Sequence, residues 1–396
     1  MTREHVQAVI NQYGSSFYHY DLDGFEAHLQ SIKRILHPDI KVWYATKANP
    51  MSMILRVLHK CGFGADVASL GELHQVSSAG FGAQDLIATG PAKSRHYLGS
   101  LLSAKVDTII IESFNQLKDL DELCSKTAIR QNVLLRVQLD WDDDRKSVLG
   151  GAQITPFGLD PHQWLVMDVL SFKNVNIIGL HCFQWGNVTQ LDQLRQIWSY
   201  TILECKKLSK TLGIELQVLD LGGGIGFSYQ DDHELAFADV HDLLLTLKSD
   251  HSLNKIWLEL GRFTIGKFGT YLTKIVDLKT VRGKKLIVTE GGINHMARSA
   301  LVGESFPCEA LAEYSGKLVP YSVHGPLCTA LDHLGNFELP EDLCVGDWLR
   351  FKKVGAYGFT ESMPYFLCHS SAGEAVSYQQ ELYVPRVPTA NLEWLL

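Results

Sequence analysis

Between residues 40 and 260 the chain alternates short, nearly continuous apolar runs with longer stretches whose apolar residues recur every three or four positions. Runs of the first kind have the length and β-branched content of buried strands, and the second have the spacing of amphipathic helices. Strands are predicted over 39–46, 64–68, 86–89, 108–111, 132–138, 177–182, 216–219 and 255–259. Helices are predicted over 51–60, 72–79, 94–104, 113–125 and 191–212. A strand over 17–22 and a helix over 24–36, the latter marked by Phe25, Leu29, Ile32 and Leu36, come before them. About eight βα units in about 250 residues fit a parallel TIM-type (β/α)8 barrel.

After Arg262 the pattern changes. Strands are predicted over 271–278, 285–288, 318–323, 347–351 and 381–384 with no long helix between them, which indicates an antiparallel sheet. The fold class is therefore α/β, a TIM-type (β/α)8 barrel followed by a mainly antiparallel β domain. The expected division is a barrel over 26–264 and a β-rich domain made of 265–396 with the N-terminal strand of 1–25. The apolar ending at 391–396, Asn-Leu-Glu-Trp-Leu-Leu, is expected to dock on its own domain.

Composition narrows the function classes. With 46% hydrophobic and 20% charged residues the chain can bury a substantial core. A net charge of −8 without a basic run argues against nucleic acid and anionic membrane surfaces. No apolar run is long enough to span a bilayer and the opening residues do not resemble a signal peptide, so a cytoplasmic protein is expected. The eight cysteines contain no Cys-x-x-Cys pair and read as small buried hydrophobes, Cys328 excepted. No His/Asp/Glu spacing indicates a metal site, so none is expected.

Candidate chemistry sits at strand ends. The run Trp43-Tyr44-Ala45-Thr46-Lys47 delivers a lysine just before Asn49-Pro50 breaks the structure. Such a lysine either snorkels from the strand end or offers an amine whose burial favours the nucleophilic form. Gly222-Gly223-Gly224 follows an apolar run and is either a tight turn or a cradle in which backbone N–H groups approach an anion. A (β/α)8 barrel gathers the C-terminal ends of its strands at one site. The positions to compare as a set are therefore Lys47, Asp66 with Ser69, Arg136, residues 181–187, the glycine triplet and Glu259-Leu260-Gly261-Arg262.

Six motifs in order carry a resemblance over nearly the whole chain: Tyr44-Ala45-Thr46-Lys47-Ala48-Asn49, Ala65-Asp66-Val67-Ala68-Ser69 with Gly71-Glu72-Leu73, Gly222-Gly223-Gly224, Glu259-Leu260-Gly261-Arg262, Gly325-Pro326-Leu327-Cys328 and Gly355-Ala356-Tyr357-Gly358. The chain resembles the fold-type III pyridoxal-phosphate decarboxylases, the ornithine/arginine and diaminopimelate decarboxylase family. The resemblance implies that Lys47 carries pyridoxal 5'-phosphate covalently. Gly222, Gly223, Gly224, Arg262 and, from the β domain, Tyr357 would hold its phosphate. Glu259 would keep its pyridine nitrogen protonated, with Asp66, Arg136, Phe183 and Gly261 also lining the cofactor. A homodimer with shared sites is implied, in which Cys328 acts as proton donor. Arg298, in Gly291-Gly292-Ile293-Asn294-His295-Met296-Ala297-Arg298, lies near the substrate carboxylate in the diaminopimelate branch, and Thr329 and Asp332 would also face substrate.

Two departures bear on substrate. Phe183, within His181-Cys182-Phe183-Gln184-Trp185-Gly186-Asn187, stands where the family stacks a histidine on the cofactor, and Gly186 replaces a serine that supports the phosphate. Thr329 replaces the acidic residue that usually follows the cysteine near a distal amine. Gly150-Gly151 ahead of Pro156-Phe157-Gly158, the Leu221–Gly226 run and Gly-Pro-Leu-Cys-Thr make the chain similar to an atypical biosynthetic subgroup. That subgroup includes the carrier-linked glutamate decarboxylase of butirosin biosynthesis and the citryl-diaminopropionate decarboxylase of a staphyloferrin pathway. The implied activity is decarboxylation of an amino acid or a conjugated amino acid. The alternatives are a free diaminopimelate- or ornithine-type decarboxylase, an amino-acid racemase, and a silent relative. Glu259 counts against the racemase, whose arginine at that position limits carbanion delocalisation. The set Lys47, Glu259, Arg262, Cys328 and Tyr357 counts against the silent relative.

Overall fold

The structure, a computed structural model, describes residues 3–142, 150–231 and 233–390, so the terminal 391–396 lies outside the described residues. The chain divides into two compact units, one of residues 28–228 with 233–263 and one of 1–27 with 229–232 and 264–396.

The first unit is a closed barrel of eight strands. They are β2 (Ile40–Ala45), β3 (Gly64–Val67), β4 (Leu86–Ala88), β5 (Thr108–Ile111), β6 (Gln131–Arg136), β7 (Val175–His181), β8 (Val218–Asp220) and β9 (Lys255–Leu260), after a β1 that belongs to the other unit. Every neighbouring pair is parallel, and β9 closes on β2 with Trp43 opposite Glu259. Helices Ser52–Lys60, Leu70–Ser78, Arg95–Ser103, Phe114–Thr127, Leu191–Leu212 and Phe237–Asp250 return the chain between strands. Three of them start on Ser69, Ser94 and Ser113, whose side chains accept a backbone N–H three residues on and satisfy one of the orphan donors of the first turn. The Phe237–Asp250 helix was not predicted, although Phe237, Val240, Leu243, Leu244 and Leu247 bury one face at helical spacing. Its leucine run obscures the period in the sequence.

The barrel floor is a cluster of Trp43, Ile87, Ile110, Leu134, Ile178, Val218 and Trp257, with the two indoles 5.1 Å apart edge to face. Gly64 belongs to this layer because a Cβ there would lie 2.3 Å from the Trp43 ring.

The second unit is a nine-stranded sheet. It contains β1 (Phe17–Asp21), β10 (Gly269–Val281), β11 (Lys284–Thr289), β12 (Cys308–Ala310), β13 (Leu318–His324), β14 (His333–Pro340), β15 (Trp348–Lys352), β16 (Gly373–Tyr378) and β17 (Glu381–Arg386). Pairing is mainly antiparallel; β1 with β16 and β11 with β13 are parallel. The N-terminal β1 is inserted between β10 and β16, Phe17 opposite both Leu272 and Gly373. Strands β12, β14 and β16 were not predicted, since β12 is three residues long and β14 carries Gly335 and ends on Pro340. Helix Arg3–Tyr13 was also missed; Val6 and Val9 pack with Phe17, Leu272 and Ala375.

The expectation of buried cysteines needs correction. Cys124, Cys182 and Cys205 are buried, but Cys61 and Cys308 are half-buried and Cys344 and Cys368 are exposed, as is Cys328. Among the described residues no helix is long and apolar enough to cross a membrane.

Candidate active site

The strand period builds the site. Two residues beyond each floor residue the chain returns to the barrel interior. Gly64 leads to Asp66, Ile87 to Thr89, Ile110 to Glu112, Leu134 to Arg136, Val218 to Asp220 and Trp257 to Glu259, and all six polar residues are buried. β7 is offset by one, because Val133 pairs with Ile177 and Leu134 with Gly179, so a bulge at Ile178 makes His181 the inward residue. A polar layer thus lies on an apolar floor. Lys47 stands two residues past Ala45 in the 3-10 turn Thr46–Ala48 and is half-buried. Its charge favours the ionised forms of Asp66, Glu72 and Glu259.

Carboxylates in this layer have diverged. Burial and then the charge of Glu259 push the Asp66 carboxyl up to about 8, against Lys47 and a 2.7 Å hydrogen bond from Thr89 Oγ1. Burial also acts to raise Glu259, but His181, whose Nε2 lies 3.1 Å from Oε1, followed by Lys47 and Arg136, holds it below the usual carboxylate value. Glu112 Oε1 accepts from Arg136 Nη1 at 3.1 Å and lies 3.5 Å from Lys93 Nζ, and the Gly158 N–H donates to Oε2 at 3.2 Å. Its burial is outweighed by Arg136 and then Lys93, so it too is held low, while burial brings Lys93 down to about 8.

The glycine triplet follows β8. Gly222 and Gly224 have φ of +63° and +83°, and a Cβ on Gly222 would lie 2.1 Å from the Phe183 ring. A Cβ on Gly223 would come 2.1 Å from the Glu259 carbonyl oxygen. The Gly222 N–H donates to Asp220 Oδ1 at 2.8 Å and the Glu259 N–H to the Gly222 carbonyl at 2.9 Å, which ties the turn to the end of β9. Arg262 opens the short helix Arg262–Ile265 beyond Gly261 and is buried. Phe183 is half-buried, and its carbonyl accepts from Arg136 Nη2 at 3.3 Å.

The remaining candidates belong to the β-rich unit. Arg298 Nη1 lies 2.9 Å from Glu361 Oε2, and the guanidinium sits 5.2 Å from the centre of the Tyr357 ring. The Arg298 Nε is buried and has no hydrogen-bond partner among the described residues. Asp332 is buried, its two oxygens accepting the Ile293 N–H at 2.8 Å and the Leu327 N–H at 2.7 Å. It therefore clamps the loop that presents an exposed Cys328 and a half-buried Thr329. Thr329 Oγ1 accepts the Leu331 N–H at 3.2 Å.

The barrel thus brings together Lys47, Asp66, Arg136, Phe183, Gly222–Gly224, Glu259, Gly261 and Arg262, and the other unit carries Arg298, Cys328, Thr329, Asp332 and Tyr357. Sequence reasoning missed Thr89, Glu112 and Asp220 as site members, although counting two from each floor residue would have found them; His181 stood in the strand-end set 181–187 but received no role. Lys93 and Glu361 come from loops that no period marks.

A family profile described as "Pyridoxal-dependent decarboxylase, pyridoxal binding domain" matches residues 22–266. The chain belongs to this family of decarboxylases. Among its relatives, the L-glutamyl-[BtrI acyl-carrier protein] decarboxylase of Niallia circulans is 29% identical over 383 residues, covering 92% of this chain and 89% of that one. The 2-[(L-alanin-3-ylcarbamoyl)methyl]-2-hydroxybutanedioate decarboxylase of Staphylococcus aureus is 28% identical over 92% of this chain and 96% of the relative. The diaminopimelate decarboxylase of Aquifex aeolicus is 27% identical over 91% and 86%. The crystal structure of the Helicobacter pylori diaminopimelate decarboxylase complexed with L-lysine superimposes with a TM-score of 0.87 at 23% identity, over 98% of each chain, and shares the fold.

This decarboxylase uses pyridoxal phosphate and acts on an amino acid. The donor set present fits that cofactor: a lysine amine at the end of β2, an ionised carboxylate on β9, and a Cβ-free turn followed by a buried arginine.

Proposed function

We propose that the chain decarboxylates an α-amino acid whose side chain is conjugated through an amide or carrier linkage. The observation that carries this reading is the Arg298–Glu361 pair at 2.9 Å. A guanidinium already neutralised by a carboxylate attracts a second free substrate carboxylate weakly, whereas its buried Nε can still donate to a neutral carbonyl. Thr329 carries no charge to pair with a distal ammonium. The Niallia circulans and Staphylococcus aureus relatives, whose names describe a carrier-linked and a carbamoyl-linked amino acid, support the same reading.

When bound, the cofactor supplies an aldehyde for an amine and a pyridinium that accepts the electron pair left when carbon dioxide departs. Lys47 Nζ would hold the aldehyde carbon and yield it to the substrate amine. Glu259 would hold the proton on the ring nitrogen, Gly222–Gly224 and Arg262 the phosphate, and Asp66, Arg136, Gly261 and Phe183 the surroundings of the ring. Tyr357 would add to the phosphate site and Cys328 Sγ would deliver a proton to the substrate Cα, both from the neighbouring subunit of a homodimer. A thiol suits this step because its proton is available near neutral pH. Asp332 would act through the loop it clamps.

The test is a panel of free diaminopimelate, free ornithine and amide- or carrier-linked amino acids, read by carbon dioxide release and product mass. A linked substrate is expected to exceed the free ones by about 100-fold or more in kcat/KM. Preference for a free diamino acid would contradict the proposal. For the dimer, mixing Lys47→Ala with Cys328→Ala subunits should restore up to about a quarter of wild-type activity under random exchange. No recovery despite demonstrated exchange would place both residues in one chain's site.

A further inference from the structure

Behind Glu259 lie two buried titratable groups to which decarboxylation, as set out above, gives no part. His181 Nε2 is 3.1 Å from Glu259 Oε1, with neither side chain more than 2% exposed. Asp220 uses Oδ1 to accept the Gly222 N–H at 2.8 Å. That leaves His181 Nδ1 and Asp220 Oδ2, both buried and both without a hydrogen-bond partner among the described residues. One polar atom from each of His181, Asp220 and Glu259 lies within 4.8 Å of the others.

The proton positions follow from the surroundings. Burial, then the charge of Glu259, keeps the Asp220 carboxyl well above the usual range, with Asp66 adding to the effect and Arg136 opposing it. That environment favours the neutral acid, which has an O–H to donate. Burial lowers His181, against Glu259 and Glu112 and together with Arg136, which favours the neutral ring with one N–H and one lone pair. Placing that N–H on Nε2, toward the Glu259 anion, leaves the lone pair on Nδ1 for the Asp220 hydroxyl through one water.

We propose that Asp220 and His181 are positioning residues forming a one-way hydrogen-bond chain, Asp220 O–H through one bridging water to His181 Nδ1 and His181 Nε2–H to Glu259 Oε1. The chain keeps Glu259 an anion and leaves its Oε2 for the ring nitrogen of the cofactor, a role that rests on the reading of Glu259 given above. Moving each proton one step along it would protonate Glu259 and leave the charge on Asp220. Lys47 favours the Glu259 anion, which is the polarity the chain requires.

The experiment is the ¹⁵N chemical shift of the ring nitrogen in holoenzyme reconstituted with ring-labelled pyridoxal phosphate, alongside kcat and KM. Wild type should show a protonated nitrogen. His181→Leu should move the shift toward the unprotonated value and lower kcat about ten- to hundredfold with KM little changed. His181→Gln, which places a donor near the Nε2 position, and Asp220→Asn, which mimics the neutral acid, should retain the protonated shift. A wild-type shift in His181→Leu would overturn the chain, as would loss of the shift in Asp220→Asn, because an ionised Asp220 would then be needed. Should His181→Leu not fold, the contrast between Asp220→Asn and a shifted Asp220→Ala decides, and equal shifts in the two would overturn the proposal. An unchanged shift in Glu259→Gln would overturn the reading of Glu259 itself and leave a different signature.

Discussion

The barrel interior and the loops of the β-rich unit hold candidate residues by opposite means. In the barrel, Asp66, Glu112, Arg136, Asp220 and Glu259 are aimed by the two-residue strand period above a floor of Trp43, Trp257 and their neighbours, so backbone geometry fixes them before any side chain contact forms. In the β-rich unit, Arg298 sits on a five-residue helix and Cys328 and Thr329 on a loop whose shape depends on one buried carboxylate, Asp332. Strand-borne groups should therefore respond to substitution as chemistry, and loop-borne groups as chemistry mixed with local order.

The largest effect expected is at Lys47. Lys47→Ala should lower turnover by on the order of 10⁴-fold or more while leaving the thermal midpoint of the apoprotein near wild type, because the half-buried amine is not part of the floor. A variant that keeps turnover would break the barrel half of the comparison. Next is Cys328→Ala, for which a loss of about 100-fold in kcat is expected, with altered protonation of the product; full activity would remove the thiol from the mechanism. Asp332→Ala should sharpen the contrast. It leaves the Ile293 and Leu327 N–H groups without their carboxylate partner, so denaturant unfolding should report a loss of about 2–4 kcal/mol together with lower kcat. A fall in kcat at unchanged stability would mean that Asp332 acts on substrate rather than on the loop.

The smallest effect concerns pH. An acid whose folded pKa is raised to about 8 binds its proton in the folded state while the unfolded chain has released it. The Asp66 contribution to apoprotein stability therefore falls as pH rises from about 4 through about 8. Asp66→Asn should flatten that slope, and an unchanged slope of thermal midpoint against pH would show that Asp66 is ionised in the folded state.

The same contrast explains how much was legible in the sequence. The barrel was readable because a buried parallel strand is a continuous apolar run and its helices bury one face, and the strand-end Lys47 and Glu259 stood out as charges against that background. Glu112 and Asp220 were missed because one charged residue after Ile109-Ile110-Ile111 or Val218-Leu219 looks like an ordinary strand end until the floor beneath it is known. The bulge in β7 moved His181 by one position, which no period could reveal. In the β-rich unit β12, β14 and β16 are short, glycine-bearing or irregular, and Glu361 pairs with Arg298 across 63 residues of chain without any spacing to mark it.

The central claim is that this decarboxylase holds its cofactor through Lys47. Borohydride reduction of the holoenzyme followed by peptide mapping tests it directly, since reduction fixes the cofactor to whichever lysine carries it. The account predicts a single pyridoxyl-modified peptide containing Lys47. Modification of Lys93, the buried lysine brought down to about 8 in the same barrel, would contradict it.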